Sequence, residues 1–185
     1  MSGLDIFFYV PPSESYAEPI EYELTHQLML YKLLNRSNLA DYLFGFKERP
    51  KVFFEPRDGR PGLFDLSLNY ENHRCFVEIK ALSLPNDKQI ANQTQFLKKE
   101  KAKGYYVLLG YAWKKRSDAV RKLRSVYDGW GFLGYDEIIH ALDKLLIEPS
   151  LPSDYKELTA TYLDALKTQQ LRYQPAPESS NPLQP

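Results

Sequence analysis

Two opposite charges interrupt an apolar run, CFVEIKAL, at Glu78 and Lys80. In an extended chain residues two apart project from the same face. That face otherwise carries Phe76 and Leu82, while Cys75, Val77, Ile79 and Ala81 make the other face wholly apolar. A strand apolar on both sides is buried in a sheet, so an acid and a base inside it break the binary pattern, as functional sites do. A second carboxylate, Asp65, precedes them in GLFDLSLNY. If the two segments form a hairpin with an even turn, either Asn72-His73 or Glu71 through Arg74, then Asp65 pairs with Lys80 and Ser67 with Glu78. Asp65 then lies diagonal to Glu78, about 7–8 Å away at Cα and closer at the side chains. An odd turn sends Asp65 to the other face.

Two carboxylates at that separation resist joint ionisation, and a divalent cation supplies the compensating charge. Magnesium takes oxygen ligands and keeps several waters, so one or two carboxylates and a substrate phosphate suffice. Such an ion polarises a phosphodiester and lowers the pKa of bound water. Lys80 is then placed to orient or deprotonate that water, or to stabilise charge on phosphoryl oxygens; the sequence leaves these roles open.

The elements that must position these residues are legible in outline. A short strand (Ile6 to Val10) ends at Pro11-Pro12, and Pro19 opens a helix over about Ile20 to Asn35, with Ile20, Leu24, Leu28 and Tyr31 at helical spacing. A loop containing Gly45 and Pro50 follows, then a β-type run from Lys51 to Glu55 and a turn at Asp58-Gly59. Gly62 to Tyr70 reads as a strand, with Phe64, Leu66, Leu68 and Tyr70 on one face and Leu63, Asp65, Ser67 and Asn69 on the other. The return strand runs from Cys75 to Leu82, a helix covers residues 86–103 with Gly104 as its C′ residue, and Tyr105 to Tyr111 is a buried strand. Strand, helix, strand is a crossover that predicts parallel pairing and an α/β layer. Helices follow over Arg116–Tyr127, Tyr135–Leu146 and Asp154–Arg172, and the Pro- and Ser-rich tail from Gln174 reads as disordered.

The segment GLFDLSLNYENHRCFVEIKAL resembles the core of the PD-(D/E)XK, or restriction-endonuclease-like, nuclease superfamily. There an Asp and a (Glu/Asp)-x-Lys lie on adjacent strands of one hairpin, and the resemblance, covering roughly residues 20–111, gives those roles to Asp65, Glu78 and Lys80. The proline of the family name is displaced to Pro61, four residues before Asp65. The resemblance implies an α/β fold with a restriction-endonuclease-like core, a central mixed sheet flanked by helices, and extra C-terminal helices. It divides the chain into a nuclease-like domain over 1–150, a helical extension over 151–173 and a tail over 174–185. Many members carry a Gln on the helix after Glu-x-Lys. Of Gln89, Gln93 and Gln95, it is Gln93 that shares a face with Ile90 and Leu97. Many also carry a Glu on the preceding helix, for which Glu21 is preferred over Glu23 at the opposite margin of the apolar stripe. Mg²⁺ or Mn²⁺ is then held by Asp65 and Glu78 with the carbonyl of Ile79.

Lys114, Lys115 and Arg116, after Trp113, are candidate phosphate contacts, and so are Arg57 and Arg60 beside the Asp58-Gly59 turn. Lys+Arg and Asp+Glu balance at 24 each, which argues against a general nucleic-acid coat but not against an enzyme with a local basic patch. The single cysteine, Cys75, excludes an intrachain disulfide, and its predicted place on the far face excludes a thiol nucleophile at this site; the three histidines have no zinc spacing. No apolar run approaches the ~20 residues of a membrane span, and the N-terminus lacks the basic start of a signal peptide, so a cytoplasmic protein is expected. The expected function is metal-dependent hydrolysis of phosphodiester bonds, in DNA, by a single chain, a homodimer or a subunit of a complex. The alternative is a non-catalytic module that binds nucleic acid or protein on the same fold.

Overall fold

A computed structural model describes residues 23–54, 63–71 and 73–173. The expected strand at Ile6–Val10, the helix opening at Pro19, the Asp58-Gly59 turn and the tail from Gln174 lie outside those residues, as do Glu21, Arg57 and Arg60. The described chain runs α1 (Glu23–Arg36), α2 (Leu39–Phe44), β1 (Lys51–Phe54), β2 (Leu66–Tyr70), β3 (His73–Lys80), α3 (Asp87–Glu100), β4 (Lys103–Leu108), α4 (Gly110–Lys114), α5 (Arg116–Val126), β5 (Trp130–Leu133), α6 (Tyr135–Leu146) and α7 (Ser153–Arg172). The strands form one sheet in sequence order, β1-β2-β3-β4-β5. The first three are antiparallel, and β3, β4 and β5 are parallel. This is a mixed central sheet flanked by helices.

Alternation in the ladders defines two faces. Val52, Phe54, Leu66, Leu68, Cys75, Val77, Ile79 and Tyr105 share one. There α1 packs through Tyr31, whose ring meets Phe54 edge-on at 5.5 Å, and Phe44 at the end of α2 meets Tyr105 at 4.9 Å. Phe76, Glu78, Tyr106 and Trp130 share the other face. It is covered by α3, with Phe76 and Phe96 edge-to-face at 5.0 Å and Trp130 Nε1 donating to Thr94 Oγ1 at 3.2 Å. Helices α6 and α7 lie against each other and α7 also meets α1. Tyr162, Leu163 and Leu166 of α7 belong to the same buried core as the sheet. His26 Nδ1 and the Tyr162 hydroxyl lie 3.0 Å apart across that contact. Among the described residues no helix is long and apolar enough to cross a membrane.

Several boundaries differ from expectation for identifiable reasons. Helix α3 begins at Asp87 behind Asn86, whose side chain accepts from Gln89 N at 2.9 Å. It ends at Glu100 rather than residue 103, and the left-handed residue that stops it is Lys101 (φ 51), not Gly104. Gly104 lies inside β4, where a Cβ would stand 2.5 Å from both Leu97 Cδ1 and the Trp130 ring, so packing rather than a turn demands glycine. Strand β4 stops at Leu108 instead of Tyr111 because Gly110, at φ 48, turns the chain into α4. Strand β2 starts at Leu66 and not at Gly62, with bends over 63–65. Phe64 consequently leaves the face of Leu66 and Leu68 and packs against Phe76 at 5.1 Å on the opposite side. The hairpin closes with Tyr70 paired to His73 and with Glu71 at φ 48. Both even turns considered from sequence are therefore shifted by two in register. Strand β3 correspondingly runs His73–Lys80 instead of Cys75–Leu82. Helix α2 and strand β5 occupy segments with no element assigned from sequence.

Candidate active site

The last paired residues of the β2–β3 ladder are Leu66 and Val77, and beyond them the two strands part. The Asp65 N–H still bonds the Val77 carbonyl at 3.0 Å, while its carboxylate turns along β3 and accepts the Ile79 N–H on Oδ2 at 2.7 Å. Asp65 is therefore not the cross-strand partner of Lys80. It lies at the mouth of the sheet and caps a backbone N–H that β2 is too short to satisfy. The N–H and C=O of one strand residue point to the same side, so the Ile79 carbonyl faces the same edge of β3 as its N–H.

Glu78 is 4% exposed on the α3 side of β3. Three donors hold it: Lys80 Nζ at 2.9 Å and Gln89 Nε2 at 2.6 Å on Oε1, and Gln93 Nε2 at 3.1 Å on Oε2. Gln93 is 1% exposed. Its Nε2 also donates to the Leu63 carbonyl at 2.5 Å, and its Oε1 accepts the Tyr106 hydroxyl. Gln89 is half-buried and Gln95 exposed. The helix phase that turns Gln93 inward therefore turns Gln89, one turn earlier, onto the same carboxylate.

Helix α1 closes the other side with residues one turn apart. Gln27 Nε2 donates to Asp65 Oδ1 at 2.7 Å. Glu23 accepts the N–H groups of Ala81 and Leu82 on Oε1, at 3.0 and 3.4 Å, and its Oε2 lies 3.5 Å from Lys80 Nζ. Glu23 thus borders the cluster, while Glu21 lies outside the described residues. Nothing local in the sequence distinguishes Gln27 from an ordinary helix amide, and the face shared with Ile90 and Leu97 favours Gln93 over Gln89.

The structure brings together Asp65, Glu78, Lys80, Gln93 and the backbone of Ile79. It does not bring the basic segment into this cluster. Helix α4 begins beside it, with Leu109 N on the Lys80 carbonyl at 2.8 Å and Ala112 N on the Ala81 carbonyl at 3.3 Å. Lys114 and Lys115 are exposed beyond, and the Arg116 guanidinium lies over the Trp113 ring at 3.9 Å. Cys75 is buried on the opposite sheet face, and burial pushes its thiol pKa up, which leaves it unreactive.

The electrostatics of the cluster are frustrated. Burial raises the Asp65 pKa to about 7, helped by the nearby Glu78 charge and opposed by the Ile79 N–H and Lys80. Burial also raises Glu78, against the pull of Lys80. Burial opposes the Lys80 ammonium, but Glu78, Glu23 and Asp65 outweigh it and its pKa rises. The site thus holds more acid than one lysine can neutralise. Among the described residues no group of three or more His, Cys, Asp or Glu side chains is arranged to hold a metal ion. Magnesium is commonly held by only one or two carboxylates, with waters in its remaining positions, which is a smaller donor set than that.

In comparison with known proteins, no family model, curated protein or solved structure matches the chain.

Proposed function

We propose that this protein is a divalent-metal-dependent nuclease of the PD-(D/E)XK type that hydrolyses phosphodiester bonds in DNA. The observation that carries the reading is an excess of carboxylates at the open end of a mixed sheet: Glu78 and Glu23 lie 2.9 and 3.5 Å from Lys80 Nζ, and half-buried Asp65, on the Ile79 N–H, has its pKa raised by burial and by the Glu78 charge. Structural ion pairs are ordinarily balanced, and an acid excess kept out of water suits a site completed by a cation. Asp65, Glu78 and the Ile79 carbonyl would hold Mg²⁺ or Mn²⁺. The ion would polarise the phosphodiester and acidify a bound water.

The chain's own groups prepare that chemistry. Gln89 and Gln93 fix the Glu78 carboxylate from α3, and Gln27 fixes Asp65 from α1. Lys80, with its pKa raised by the surrounding acids, stays an ammonium at neutral pH. In the metal-free protein it is a positive charge placed for phosphoryl oxygens or a donor that orients water. Lys114, at the end of α4, and Lys115 after it lie outside this cluster, exposed, and would contact phosphates further along the substrate.

The test is purified protein against plasmid, linear duplex, single-stranded DNA and RNA, with Mg²⁺, Mn²⁺ or EDTA. DNA should be cut only with metal, and Lys80→Ala should lose about 100-fold or more in rate. Cleavage that persists in EDTA or in Lys80→Ala refutes the assignment. DNA binding without cleavage under either metal favours a non-catalytic binding module.

A further inference from the structure

A second site lies at the other end of the sheet. Helix α2 ends at Phe44, and Gly45 behind it turns left-handed at φ 71. The sheet face beside it runs through Tyr70, His73, Cys75, Lys103 and Tyr105, which alternation and pairing place on the same side. The result is a cavity of about 740 Å³, within the usual range of small-molecule sites, roughly 300–1,000 Å³. From His73 to Lys80 along β3 is ~23 Å, so this cavity is separate from the carboxylate cluster.

Its lining has two distinct chemistries. Four half-buried aromatic residues form the wall: Phe46 and Tyr70 are stacked at 5.5 Å and 29°, and Phe44 stands edge-on to Tyr105. The rim carries Arg74, Lys101 and Lys103 against Glu71 and Glu100. Arg74 is neutralised by Glu100 at 3.3 Å. Lys101 and Lys103 have no ion-pair partner among the described residues. Both are exposed. The cavity therefore offers two cations against the single acid Glu71. Flat aromatic surface beside free cations is the combination that takes a base and its phosphate.

We propose that this cavity binds a nucleotide unit, with the base against Tyr70 and Phe46 and the phosphate on Lys101 and Lys103. The unit is either a free nucleotide or one residue of a single strand. The test is calorimetric titration of the intact protein in EDTA with adenosine monophosphate, and separately with a short single-stranded oligonucleotide. Two variants are compared: Lys101→Glu with Lys103→Glu, both exposed and safe for folding, and Tyr70→Leu, which keeps the apolar bulk and removes the flat ring. Saturable binding should weaken about tenfold or more in each variant, and should weaken with added salt. Binding of the mononucleotide identifies a free nucleotide as ligand, and binding of the oligonucleotide alone identifies a strand. No saturable binding of either probe, or binding that survives either variant, overturns the proposal.

Discussion

The substitution Asp65→Asn tests the frustrated site without any substrate. Asparagine keeps the shape: its Oδ1 can accept the Ile79 N–H now taken by Asp65, and the Gln27 amide can turn over to accept from the new Nδ2. What it removes is a charge. Asp65 moves from an ordinary 3.8 to about 7 in the folded protein. A carboxyl raised by folding contributes stability that is full below its unfolded pKa and is lost as pH rises through the folded value. At about 1.36 kcal/mol per pH unit the whole shift corresponds to ~4 kcal/mol. Asp65 and Glu78 share their protons, so about half of that, ~2 kcal/mol, is the figure to assign to Asp65 alone. The variant and the parent should thus be equally stable near pH 3.5. The variant should gain ~2 kcal/mol by pH 8, with the gain accumulating between about pH 4 and pH 7. Urea unfolding in EDTA, followed by tryptophan fluorescence, measures both proteins across that range. A difference that does not change with pH, or a parent that gains on the variant as pH rises, refutes the account of Asp65 as a desolvated, repelled acid.

Metal should act on the same pair: Mn²⁺ should raise the melting temperature of the parent slightly, as mass action requires of a weak ligand, and calorimetry should find no rise in the double variant Asp65→Asn with Glu78→Gln. Gly110→Ala should destabilise by about 2 kcal/mol or more in urea unfolding, because the residue holds φ 48 and its Cβ would stand 2.7 Å from the Ala81 carbonyl oxygen. Gln93→Leu should cost ~2–4 kcal/mol, since leucine leaves the Leu63 carbonyl and the Tyr106 hydroxyl without their partner. Gln95→Ala, on the exposed side of the same helix, should change stability by less than ~0.5 kcal/mol.

Local periodicity carried much of this chain. The spacing of apolar residues located α6 at Tyr135–Leu146 and turned Gln93 of α3 toward the sheet. Alternation put Glu78 and Cys75 on opposite faces of β3, and the crossover made β3 and β4 parallel. These features depend on neighbours within one or two turns or one strand, so the sequence by itself determined them. The tertiary structure decided the rest. The register of the β2–β3 hairpin shifted by two because Glu71, a residue without the usual turn signature, adopts the left-handed conformation. Strand β5 is four residues of ambiguous pattern, WGFL, and exists through its pairing to β4, where Gly104 makes room for the Trp130 ring. Asp65 joins the site not by cross-strand parity but because bends over 63–65 release it from the ladder to cap Ile79. Glu23 and Gln27 join the cluster from 58 and 38 residues away along the chain. Contacts of that range are set by how a helix docks on a sheet, and no local pattern of residue types records the docking.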